Sequence, residues 1–298
     1  MSTLIGAEHE RWPLARAIDA LGDAARQAGA PALIWLAGLF YPTLTLSLGN
    51  AGDLVLLRIR NGEVPQPRLD WTFNNVHDPL LGYPLAMLPL ILPFAMRLIV
   101  GLARISSPQR WSELAAGRRA PRFRDAWRAG RGLTFSSFGL WLQLLVMLAG
   151  AAVVLLVPSY FFLRGLGLRG DTNFERIALG ALMSPFLATL MAYGFLLSVL
   201  YQLALQSLAQ NRRGVASAIH HAWRIARNDP SATLRAVVVD FVLWLTAAFL
   251  TVVLVLTIVG APLAVCVAGF AGTTRACYWA RTYRVLGGLS AVDGVPGL

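Results

Sequence analysis

Residues 233–259 read TLRAVVVDFVLWLTAAFLTVVLVLTIV, and after Gly260-Ala261-Pro262 the chain continues as LAVCVAGFAGTTRACYWAR over 263–281. Each arm is about the twenty residues that a helix needs to cross a hydrocarbon core. Backbone groups cannot stay unpaired in lipid, so both arms must be helices. The connection is only a tight turn, which makes the arms antiparallel neighbours. Asp240 lies a few turns into the first arm, and Arg275 lies at a similar depth in the second. Both, like Arg97 in the second apolar run, are roughly 9–11 Å from the same membrane face at 1.5 Å per residue, so Asp240 is expected beside Arg275 or Arg97.

Four further apolar runs precede this hairpin, at 31–50, 79–103, 133–157 and 178–206. Asn50 and Asp53 close the first, and Arg275 interrupts the sixth. The reading is an all-α polytopic membrane helix bundle of about six transmembrane helices, forming a single integral membrane domain over 1–298. Composition agrees: 14% of residues are charged and 56% hydrophobic, against roughly 25% charged in soluble domains. Mean hydropathy is +0.59. The first thirty residues contain Glu8, Glu10, Asp19 and Asp23 and no apolar stretch of signal-peptide length.

All 26 basic residues are arginine, and their placement sets the orientation. The N-terminal segment, the 104–132 and 207–232 loops, and Arg281 and Arg284 together hold 17 arginines, whereas the opposite loops hold 6. Cytoplasmic loops are enriched in this way. The expected location is therefore a bacterial inner membrane, with both termini cytoplasmic. The net charge of +11 is accounted for by these loops, and no nucleic-acid partner is implied.

Two stretches echo each other: FRDAWRAGRG at 123–132 and HHAWRIARND at 220–229. In the first, Phe123, Ala126 and Trp127 share one helical face. In the second, Val215, Ile219, Ala222, Trp223 and Ala226 do so. A third stretch sets Leu14, Ile18, Leu21 and Ala25 opposite Arg16, Asp19, Asp23 and Arg26. Each ends in a break and is followed by an apolar run. This pattern reads as three hairpin units, 9–103, 122–206 and 215–284, each preceded by a basic amphipathic interfacial helix. Trp127 and Trp223 are expected to turn toward the apolar layer. Arg124, Arg128, Arg224 and Arg227 are expected to face anionic lipid headgroups, or to dock a membrane or cytoplasmic protein partner.

The segment Ala222-Trp223-Arg224 with Arg227 is followed by Leu234-Arg235-Ala236 and an apolar run. Together with the closing Tyr278 and Ala280-Arg281-Thr282-Tyr283-Arg284, it resembles the membrane domain found beside bacterial glycerophosphodiester phosphodiesterases and related multi-pass proteins. The resemblance covers about 80 residues toward the end of the chain. It implies a membrane fold and no chemistry, since no phosphodiesterase-like soluble segment accompanies it here.

The search for chemistry is brief. Without lysine there is no Walker A motif, and HExxH and GxSxG are absent. GLGLRG at 165–170 matches GxGxxG but has no strand before it, so it is a loop. His77 and Asp78, with Asp70 and Asp53 nearby, read as solvated loop residues rather than a metal or acid/base cluster. His220 and His221 are about 100° apart on a helix and do not converge on one ligand. Cys266 and Cys277 are too far apart along one helix for a disulfide. Pro79, Pro84, Pro89 and Pro93 break the second run, as in helices that line cavities. No catalytic, metal or cofactor site is expected.

The strongest lead is the set of intramembrane charges Arg97, Asp240 and Arg275, because such groups are costly and normally paired. Two functions are compatible with these features. One is a non-enzymatic structural or accessory subunit that recruits a partner or lipid through the cytoplasmic arginine-rich helices. The other is a transporter or lipid-handling protein with a site near Arg97, Asp240 and Arg275.

The orientation is directly testable by impermeant thiol labelling of Ala116→Cys and Gly62→Cys in intact spheroplasts. Labelling at 62 and not at 116 is expected; the opposite pattern reverses the topology.

Overall fold

The computed structural model describes residues 14–29, 34–41, 82–108, 110–111, 121–165, 167, 172–257 and 260–288. Its helices are α1 (Leu14–Gly29), α2 (Trp35–Gly38), α3 (Gly82–Ile105), α4 (Phe123–Ala129), α5 (Thr134–Gly165), α6 (Asn173–Asn211), α7 (Val215–Asn228), α8 (Pro230–Val255) and α9 (Ala261–Val285). The chain is all-α and multi-pass. Among the described residues three helices are long and apolar enough to cross a membrane: α5, α6 and α8.

That number corrects the expected six. α9 has the length, but its second half carries Thr273, Thr274, Arg275, Arg281 and Thr282. These polar groups are sustained because other helices wrap that half, not lipid: Thr273, Thr274, Arg275 and Thr282 are all buried. The 31–50 run is described only as far as Tyr41, where it contains just the short α2. The His77–Asp78 loop with Asp70 and Asp53, and most of 165–170, lie outside the described residues.

Helix boundaries follow local chemistry. The Asp229 carboxylate accepts the Ala232 N–H at 2.9 Å and Pro230 occupies the first turn, so α8 starts there. Thr172 caps α6 by accepting the Glu175 N–H at 3.2 Å. Asp125 accepts the Arg122 N–H at 2.9 Å and opens α4, which stops at Gly130.

The core lies at one end of the bundle. Buried side chains concentrate at 95–105 of α3, 197–209 of α6, 232–240 of α8 and 271–283 of α9. Toward the other end, Val153, Val154, Phe161 and Phe162 of α5, Ile177 and Met191 of α6, and Phe249 and Val252 of α8 are exposed. An apolar collar of this kind is what lipid solvates.

α3, α6 and α9 touch one another at the centre, and one docking relation recurs around them. α4 packs on α3, α7 packs on α6, and α1 packs on α9. The arginine-rich end is thus ringed by the three amphipathic helices. Each docks through its smallest residues: Ala17, Ala24 and Ala28 in α1, Ala126 in α4, Ala218 and Ala222 in α7. Small side chains let helix backbones approach closely. The bulkier Leu14, Ile18 and Trp223 are left exposed, whereas Leu21, Phe123, Trp127, Val215, Ile219 and Ile225 pack against the core, so only part of each apolar face meets the protein.

The α3–α4 contact is the tightest. A Cβ on Gly101 would meet the Ala126 carbonyl oxygen, and one on Gly130 would meet the Arg97 carbonyl oxygen. Gly101→Ala is expected to cost about 1–3 kcal/mol of stability by overpacking and to make residues 121–133 more protease-sensitive. Gly150→Ala, where nothing lies within 4 Å, should leave both unchanged.

Candidate functional site

Asp240 on α8 and Arg275 on α9 meet as a two-point ion pair. Arg275 Nε donates to Asp240 Oδ1 at 2.7 Å and Nη2 donates to Oδ2 at 2.6 Å. Both residues are buried, at 7% and 6% exposure. The tight turn between α8 and α9 puts the two charges at matching depth, and the planar guanidinium then matches the carboxylate edge.

Arg97 is elsewhere. Its Nε donates to the Trp127 carbonyl at 2.9 Å, and its guanidinium carbon lies 3.8 Å from the Trp127 ring centre. Arg104 Nη1 donates to the Ala129 carbonyl at 3.0 Å. Two arginines of α3 thus satisfy the terminal carbonyls of α4, a favourable place for cations. Arg97 shares the depth of the ion pair but serves a helix end.

The expected likeness of Trp127 and Trp223 also divides. Trp127 stacks on Phe94 at 4.9 Å between ring centres and packs against the core, whereas Trp223 is 46% exposed. Arg124, Arg128, Arg224 and Arg227 all point outward, with Arg224 Nη2 3.5 Å from His220 Nδ1. The two histidines part: His220 is exposed, while His221 is buried with Nε2 3.0 Å from the Gly288 carbonyl. Cys266 and Cys277 are free thiols. On α1, the Arg26 side chain and then Arg281, whose Nη1 is 2.7 Å from Asp23 Oδ2, hold the Asp23 carboxyl below its usual range.

The ion pair borders a cavity of about 170 Å³ between α6 and α8, with α9 as its floor. Phe195, Ser198, Val199 and Gln202 come from α6; Val237, Asp240, Phe241 and Trp244 from α8; Arg275 and Trp279 from α9. Elsewhere around the centre, α2 packs on α9 and α5 packs on α3. α8 makes no comparable contact with α6, and the cavity occupies that open seam.

Three residues that line the cavity each carry a buried donor with no hydrogen-bond partner: Arg275 Nη1, Gln202 Nε2 and Trp279 Nε1. Buried polar atoms are nearly always satisfied; others, such as Trp141 Nε1 and Thr274 Oγ1, are also unpartnered elsewhere, but these three donors fall together on residues of one cavity. Gln202 is oriented from behind, since the Tyr41 hydroxyl donates to its Oε1 at 2.8 Å. Tyr41 belongs to the 31–50 run, so three segments far apart in sequence build the site.

Sequence reasoning missed Gln202 and Trp279 by attending to charge. A signal was there. Ser198, Gln202, Gln206 and Gln210 recur every four residues in an apolar helix and form one polar stripe. The Gln210 side chain donates to Gln206 Oε1 at 2.8 Å, and Arg284 Nε donates to Gln210 Oε1 at 3.4 Å. The stripe runs from the cavity to the arginine-rich end.

Among the described residues no group of three or more His, Cys, Asp or Glu is placed to hold a metal ion. Comparison with family models, curated proteins and solved structures finds no match to this chain.

Removing one partner of a buried pair strands a charge, so Asp240→Ala is expected to lower stability by about 3–5 kcal/mol. Adding Arg275→Met should restore most of it. Thermal unfolding in detergent reads both, and a double variant no better than the single rules out the pair as the cause.

Proposed function

We propose that this protein is a transporter or lipid-handling protein of the bacterial inner membrane, working through the intramembrane site at Asp240 and Arg275. In this reading the arginine-rich end is cytoplasmic, and α5, α6 and α8 are the spanning helices. The observation that carries it is the open α6–α8 seam, where the buried ion pair and three residues with unpartnered donors line one cavity. A purely structural pair has no need of surrounding donors without acceptors, because each buried orphan costs stability. Arg97, bound to α4, belongs to the frame and not to the site.

The accessory-subunit reading retains one supporting observation: Arg124, Arg128, Arg224 and Arg227 are exposed around the same end of the bundle. There they would meet anionic headgroups or an acidic protein surface.

The test uses purified protein in vesicles, measuring transbilayer movement of a headgroup-labelled phospholipid and, separately, phosphate flux. The Asp240→Leu/Arg275→Met variant removes the charges without stranding either one. It is expected to remain folded and to lose whichever movement the wild type supports. Changing Arg124, Arg128, Arg224 and Arg227 together to Gln should leave that movement in place. A folded double variant as active as wild type, or wild-type protein that moves neither probe, defeats the proposal. If the fourfold Gln change instead abolishes capture of a partner protein, the accessory reading takes its place.

A further inference from the structure

Resting on the reading of the α6–α8 seam as a ligand site, we propose that it holds the phosphodiester of a zwitterionic phospholipid, which enters sideways from the bilayer. Two observations carry this. The first is the donor set. Arg275 Nη1, Gln202 Nε2 and Trp279 Nε1 are all donors, all without partners, on residues 6%, 2% and 1% exposed. Those residues line a single cavity. Donors alone call for an oxyanion with several acceptor oxygens, and a phosphate ester supplies them. The Tyr41 hydroxyl occupies Gln202 Oε1, which leaves only the amide N–H groups of that side chain to meet the ligand.

The second observation is the mouth. Phe195 on α6 and Phe241 on α8 line the cavity and are about half exposed. Both stand where the core segments of α6 and α8 give way to the exposed apolar surface, so in this reading the opening faces acyl chains. Asp240 is six residues along α8 from the exposed Leu234, about 9 Å at 1.5 Å per residue. A headgroup need sink only that far while its tails stay beside the two phenylalanines.

Charge balance selects the headgroup. Asp240 already neutralises Arg275, so a lone phosphate monoanion would leave one uncompensated negative charge in a water-poor site, which is prohibitive. A lipid that carries its own ammonium cancels the charge, and the Asp240 carboxylate lines the same cavity to receive it.

The shared chemistry, a phosphate oxyanion, can come from a lipid or from free phosphate, and native mass spectrometry of the full chain separates the two. Protein is equilibrated with phosphatidylethanolamine, phosphatidylglycerol or inorganic phosphate. Phosphatidylethanolamine is expected to be retained on the order of tenfold more tightly than phosphatidylglycerol, with free phosphate failing to displace it. Gln202→Leu and Trp279→Phe leave the ion pair intact, and each should weaken retention by about tenfold, the worth of a hydrogen bond to a charged group. Equal or better binding of phosphatidylglycerol overturns the charge-balance argument. Displacement by free phosphate overturns lateral lipid entry but leaves a transport site standing. Retention unchanged in both variants moves the lipid off this site. Retention of none of the three probes overturns this proposal alone; the vesicle measurement on the Asp240→Leu/Arg275→Met variant decides the broader reading separately.

Discussion

The Asp240–Arg275 pair constrains everything built around it. A carboxylate and a guanidinium in a low-dielectric interior must meet, because either one alone is far costlier than the pair. Their two-point contact therefore fixes the register of α8 against α9 and holds the polar half of α9 at the bundle centre. With α9 central, α3 and α6 complete a triad, and the remaining helices arrange themselves around it. The same contact uses only part of the guanidinium. Nε and Nη2 are engaged while Nη1 has no partner, so a structural bond and an unmet donor coexist in one side chain.

Close approach is the second constraint, and small residues provide it. Gly101 against Ala126, Gly38 against the Gly269 backbone, and the alanine faces of α1 and α7 let backbones come together where a larger side chain would hold them apart. The amphipathic helices then turn alanine and part of their larger apolar residues to the protein, leave Leu14, Ile18 and Trp223 exposed, and point arginine outward. Arg97 and Arg104 reverse that last assignment by reaching from α3 to the end of α4. The seam between α6 and α8 lacks such close packing, and its mostly apolar walls include the Asp240–Arg275 pair and Gln202.

How much of this was legible depended on the kind of signal. The tight turn put Asp240 and Arg275 at matching depth from the chain alone, but left Arg97 as an alternative partner that only the packing removed. Arg97 sat at the same depth yet on another side of the bundle, which depth does not reveal. Gln202 and Trp279 escaped because attention fell on formal charges, although the four-residue spacing of Ser198, Gln202, Gln206 and Gln210 was readable. The two Ala-Trp-Arg segments looked equivalent, but one Trp lies under an arginine and the other is half exposed, since their partners differ.

The sequence by itself determined the helical class, the membrane environment, the amphipathic helices and the arginine asymmetry. Those follow from composition and period, which local physics reads directly: backbone groups in lipid must pair, and apolar residues must avoid water. Tertiary structure alone decided which helices lie at the centre and which face lipid, because a wrapped helix such as α9 is released from the need to be apolar. It also decided that Tyr41, Gln202, Asp240, Arg275 and Trp279 converge. Their meeting depends on how α2, α6, α8 and α9 pack, and that is set by small residues and one ion pair acting across two hundred residues of chain.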